Sequence, residues 1–133
     1  NNEAQKLLCS MVNVVASTLR TNLYMPQRYA LAMRLDPSVL FTQNEKNDAE
    51  KMPAYGTFFV YGRRFKGFHV RFKDIARGGL RIVTPSTSEF LALEQSRHFD
   101  EAYNLAHAQQ LKNKDIPEGG SKAVILLDVI STS

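Results

Sequence analysis

The sequence contains a single cysteine, Cys9, and no tryptophan. One cysteine excludes an internal disulfide and any zinc site assembled from several thiolates. That usage fits a reducing compartment, so an intracellular setting, mitochondrial or cytoplasmic, is expected. No apolar run approaches the roughly 18 residues of a membrane span. The longest, residues 123–127, has the length of a strand, so a soluble chain with no membrane partner is expected. His69, His98 and His107 do not fall at ligand spacing, and no HExxH is present; no metal site is expected. A GxGxxG fingerprint is missing too, so no cofactor-binding residue is assigned to this chain. The first residue is Asn1, and no basic-then-apolar leader precedes the first helical pattern. Both ends are therefore read as cuts in a longer polypeptide.

What remains is ordinary globular material. The chain has 133 residues, 44% apolar and 23% charged, the profile of one domain with one small core. The net charge of +4 admits a polyanionic partner but does not specify one.

Residues 3–23 carry Leu8, Met11, Val12, Val15 and Leu19 at three- and four-residue spacing, which predicts a helix with one buried stripe, ended by Pro26. Residues 29–35 alternate with period two and predict a half-buried strand, closed by Asp36-Pro37. Residues 42–54 are polar and read as a loop. Residues 57–61 and 67–73 are rich in aromatic and β-branched side chains and predict a hairpin joined at 62–66. A short strand is expected at 80–83. A long helical region follows at 86–113, in two pieces meeting near 98–100, with Asp100 capping the second. Within it Phe99, Ala102, Tyr103, Ala106 and Gln109 share a face. Pro117 and Gly119-Gly120 then predict a turn, and the segment 123–129, apolar but for Asp128, a strand buried on both faces. The fold class that follows is α/β, with an α+β-like mixed sheet flanked by helices.

Two groups of residues carry chemistry. Arg77-Gly78-Gly79-Leu80-Arg81 puts two guanidinium forks around a glycine pair at the entry to a strand. The glycines permit positive φ and a close approach of ligand to backbone, and an arginine fork matches a carboxylate. The alternative for such a motif is a turn with solvated arginines. In the second group, Gln109 and Lys112 are three residues apart on one helix and can face one cleft. Lys122 lies just past a Pro-Glu-Gly-Gly-Ser turn, at the mouth of the apolar strand. A lysine so placed can exchange a proton and polarise bound water or a carbonyl. The competing reading is a helix-end lysine and a strand-end lysine that merely reach solvent. Gly119-Gly120-Ser121-Lys122 is not a phosphate loop, because that loop needs a strand before it and a helix after it.

Read in order, Ile75-Ala76-Arg77-Gly78-Gly79-Leu80-Arg81, Gln109-Gln110-Leu111-Lys112-Asn113-Lys114 and Pro117-Glu118-Gly119-Gly120-Ser121-Lys122 resemble the glutamate dehydrogenases. Asp100-Glu101-Ala102-Tyr103-Asn104-Leu105-Ala106 is similar to the large, eukaryotic-type NAD-specific class. The resemblance covers about residues 7–128. It implies an oxidoreductase that deaminates L-glutamate oxidatively to 2-oxoglutarate and ammonia with NAD. Residues 1–133 would then be part of the glutamate-binding domain of a homo-oligomer, with the Rossmann NAD domain outside this chain. Carried over by position, the resemblance makes Lys122 the catalytic lysine that activates water. It makes Lys112 and Gln109 binders of the α-carboxylate, and Gly78 and Gly79 the glycine pair beside the substrate. Arg77 stands where smaller relatives carry a lysine for the side-chain carboxylate, and Ala123 replaces a glycine common after the catalytic lysine. The family's catalytic aspartate would lie beyond Ser133, so the chain alone is expected to be inactive. Two rival readings are a basic module binding nucleic acid or protein through residues 62–73, and a dehydrogenase for another amino acid.

Overall fold

The computed structural model describes residues 2–40 and 53–129, so most of the polar segment read as a loop at 42–54 lies outside the described residues. In chain order the elements are α1 (Asn2–Ala16), β1 (Thr18–Thr21), β2 (Ala30–Leu35), a 3-10 turn (Pro37–Leu40), β3 (Gly56–Gly62) and β4 (Phe65–Arg71), followed by β5 (Ala76–Arg77), β6 (Leu80–Val83), α2 (Ser88–Lys112) and β7 (Gly119–Leu127). The seven strands form one mixed sheet in the order β1-β2-β3-β4-β7, with β5 and β6 end to end along the outer side of β7. β1 to β4 and β7 pair antiparallel, whereas β5 and β6 run parallel to β7. The expected α/β mixed sheet with helices is what forms.

Local chemistry explains where α2 begins and ends. Thr87 adopts an extended backbone and its hydroxyl accepts the Phe90 amide, and Lys112 in the last turn suits the negative end of the helix. The helix is one unbroken element, not two pieces meeting at 98–100, so Thr87 rather than Asp100 caps it. His98 lies at the expected junction. It is buried against the sheet, with Nε2 2.7 Å from the Val124 carbonyl and its ring edge-on to Phe68.

The core lies between α2 and the centre of the sheet. Val70, Phe72, Ala102, Tyr103, Ala106 and Val124 form one buried cluster, joined at its edge by Phe68 and Phe99. The shared helical face expected from sequence is therefore the packed one, and the 68-70-72 alternation points inward as read. Gly120 permits the close approach of α2 to β7, since a Cβ there would overlap the Gln110 amide nitrogen and the Ala106 carbonyl. The Gly119-Gly120 pair thus belongs to β7 and not to a turn.

Elsewhere the sequence reading needs correction. α1 stops at Ala16, and residues read as its last turns form β1 instead. Its apolar stripe is not buried: Leu8 and Val12 are 60% and 64% exposed. β7 is buried on one face only. Val124 and Leu126 are enclosed, Ile125 and Leu127 are half-buried, and Leu80 and Ile82 on the neighbouring β6 are exposed. Among the described residues no helix packs on that second face.

Candidate active site

Strand register decides which side chains meet. β5 and β6 share one offset along β7: Arg77 lies opposite Gly120 and Leu80 opposite Ala123. The intervening Gly78 and Gly79 therefore lie beside Ser121 and Lys122, although pairing is interrupted there. The contacts agree, because a Cβ on Gly78 would overlap the Ser121 carbonyl and Ala123 N–H donates to the Gly79 carbonyl at 3.2 Å. No described glycine has positive φ, so the pair serves a close approach of two strands rather than a left-handed turn.

Lys122 projects from the face that α2 covers. Its partner on β4 is Val70, fully buried in the core, and Val124 two residues later belongs to the same cluster. An ammonium group in that position must leave sideways to stay hydrated. It does so over the glycine: a Cβ on Gly79 would lie 3.2 Å from Lys122 Nζ. The missing side chain at Gly79 is thus the opening through which a half-buried lysine presents its amine.

Side-chain alternation places Arg77 and Arg81 on the same face, two residues to either side of Gly79. Arg81 confirms the assignment by pairing with Glu101 of α2 at 3.2 Å. Arg77 approaches Glu118 at 3.8 Å, a loose contact between exposed side chains that contributes little, between 0 and about 1 kcal/mol. Arg77 therefore remains available to an anion.

Gln109 and Lys112 approach from the helix. α2 runs antiparallel to β7, since His98 meets the Val124 carbonyl while Ala106 and Gln110 lie over Gly120. Gln109 is therefore level with Arg77 at the amino end of β7. Lys112 lies about three turns beyond Glu101 and so shares its side of the helix, the side facing β5 and β6. It is exposed, and among the described residues no hydrogen bond or ion pair joins it to Lys122. Gln109 is not free to turn: its amide donates to Asn113 Oδ1 at 2.8 Å.

The structure thus brings Lys122, Gly78, Gly79 and Arg77 into direct adjacency and sets Gln109 and Lys112 at the rim. Arg81, Glu101 and Gln110 belong to the same assembly and were not assigned from sequence. Arg81 was visible in the RGGLR run. Glu101 and Gln110 carried no local signal, because their roles depend on where α2 crosses the sheet. Gln110 Oε1 accepts the Gly120 amide at 2.7 Å and Asn113 donates to the Gly119 carbonyl at 3.2 Å, which ties the end of α2 to the strand bearing Lys122.

Comparison with known proteins gives this geometry a context. Residues 1–131 match the family model described as "Bacterial NAD-glutamate dehydrogenase, catalytic domain". The NAD-specific glutamate dehydrogenases of Saccharomyces cerevisiae and Neurospora crassa are each 46% identical over 129 residues, 96% of this chain. Glutamate dehydrogenase 2 of Dictyostelium discoideum is 44% identical over 128 residues. The chain spans only 11 to 12% of the length of these relatives. With the match running almost from end to end, this chain belongs to the NAD-glutamate dehydrogenase catalytic-domain family.

Proposed function

We propose that this chain is the glutamate-binding part of an NAD-dependent glutamate dehydrogenase, with Lys122 as its catalytic lysine. The observation that carries the reading is the exit of Lys122 Nζ over Gly79, flanked on one face by Arg77 and Arg81.

L-Glutamate and 2-oxoglutarate present two carboxylates on a short chain, and the site carries a cation on the strand side, Arg77, and one on the helix side, Lys112. Arg77 takes the side-chain carboxylate, with charge-assisted bonds worth about 1.5–3 kcal/mol each. Lys112 and Gln109 take the α-carboxylate from the helix side. The backbone at Gly78 and Gly79 lets the substrate lie flat beside the strand. Lys122 then faces the α-carbon, where its amine orients water and exchanges the proton that this water loses on attack.

NAD would supply the hydride acceptor. The Gly119-Gly120 pair does not fit it, because the Cβ positions of these glycines are occupied by Lys73 and by α2. No space for a pyrophosphate is left there. Cofactor binding belongs to residues outside this chain, which alone is inactive in this reading. NAD reduction by the purified 133-residue chain would contradict that.

The test of the site is Lys122→Ala in the full-length enzyme. Turnover should fall by about 10²–10⁴, with a smaller change in KM for glutamate, whereas Arg77→Ala should raise KM chiefly. Unimpaired turnover in Lys122→Ala would sink the catalytic assignment. Faster turnover with another amino acid than with glutamate would move the substrate assignment.

A further inference from the structure

At the carboxyl end of β7, past Leu127, lies a cavity of about 690 Å³. It opens beyond the carboxyl ends of the parallel strands β6 and β7. Its size is that of a small-molecule site. Leu127 at its wall is five residues along the strand from Lys122, about 16 Å away, so the two sites are separate.

The lining is specific in character. Arg63 and Arg64, the two residues of the β3–β4 turn, both face the cavity, together with Thr84, Ser86 and Asp128. Among the described residues no ion pair or hydrogen bond engages either guanidinium group. The turn is anchored, since Asp128 N–H donates to the Arg64 carbonyl at 2.9 Å. Two adjacent, unneutralised guanidinium groups in one concavity repel each other until an anion joins them, and their forks suit the three oxygens of a phosphate. Asp128 repels a bare anion but accepts hydroxyl groups, as Thr84 and Ser86 can. Pro85 and Leu127 give an apolar wall for carbon atoms.

We propose that this cavity binds a small phosphate monoester with a hydroxylated body, the phosphate on Arg63 and Arg64 and the hydroxyls on Asp128. The site is independent of the glutamate site and does not rest on that assignment.

The experiment is calorimetric titration of the 133-residue chain with ribose 5-phosphate, inorganic phosphate and ribose. Ribose 5-phosphate should bind saturably and more tightly than inorganic phosphate, and ribose should give no heat of binding. Replacing both arginines by alanine should weaken ribose 5-phosphate at least about tenfold, because two charge-assisted contacts are lost. Arg63→Lys with Arg64→Lys keeps the charge and loses the fork, and should weaken it less. Lys122→Ala should bind normally. The proposal is overturned by no saturable binding at millimolar ligand, by equal affinity in the double-alanine variant with its circular dichroism unchanged, or by loss of binding in Lys122→Ala.

Discussion

The two helices of this chain have opposite relations to the sheet. α1 carries a clear apolar stripe, yet none of its residues is buried. α2 has a weaker stripe and nevertheless buries His98, Ala102, Tyr103 and Ala106. The difference is made by the sheet beneath. α2 crosses β4 and β7 where Gly120 offers no side chain and where Phe68, Val70 and Phe72 fill the space beside it. Among the described residues α1 meets only the 3-10 turn at Pro37–Leu40 to any extent. Amphipathicity shows that a helix has a face to cover; complementary shape on the other side decides whether this chain covers it. Every residue of the candidate site sits on the α2 half, so site geometry and core stability share one helix–strand contact.

The strongest way to break the contrast is Gly120→Val. A branched side chain there must displace the α2 backbone at Ala106 and Gln110, forcing the helix off the strand. The expected cost is about 3 kcal/mol or more, at the upper end for overpacking because backbone stands in the way. The midpoint of urea unfolding measures it. A loss below about 1 kcal/mol would mean that α2 has room to move, and that its hold on the Lys122 strand is looser than the geometry indicates.

The same contact marks how far the sequence was legible. Period-two and apolar patterns located β2, β3, β4 and β6 well, because alternating burial leaves a local trace. The core face of α2 was legible for the same reason. The end of α1 was not: Thr18 to Thr21 continue the apolar spacing, but pairing of β1 with β2 claims their backbone. The extension of β7 back to Gly119 was hidden because two glycines argue for a turn unless a helix is known to lie on them. Within the site, Arg77, Gly78, Gly79 and Lys122 were identifiable as motif residues. That Gly79 is the outlet for Lys122 depends on the register of two strands far apart in sequence, and no local pattern encodes it.

A smaller effect distinguishes the two faces of the sheet. His69 stands on the face away from α2, its ring 5.6 Å from Phe58. Burial, and secondarily the charge of Arg71, lowers its pKa below the usual 6.5. The unfolded chain, with the ordinary value, then binds more protons between the two pKa values, so stability rises with pH across that window. This contribution is therefore present near neutrality and is lost as pH falls below about 6.5. His69→Gln should flatten that part of the urea-midpoint profile. Parallel profiles for the two proteins between about pH 7.5 and 5.5 would show that the uncovered face leaves His69 fully hydrated.

The smallest expected effect tests the other helix. Leu8 and Val12 lie on the apolar stripe of α1 and are more than half exposed. Replacing both by lysine removes little buried surface, so the stability of this chain should change by no more than about 0.5 kcal/mol. The helix itself should persist, because lysine is a better helix former than valine. A loss above about 1 kcal/mol would place the stripe against the body of the chain and cancel the contrast between the two helices. No change in stability would instead leave the α2 half carrying the folding energy alone, which is the arrangement expected if α1 contributes its apolar face to an interface rather than to this core.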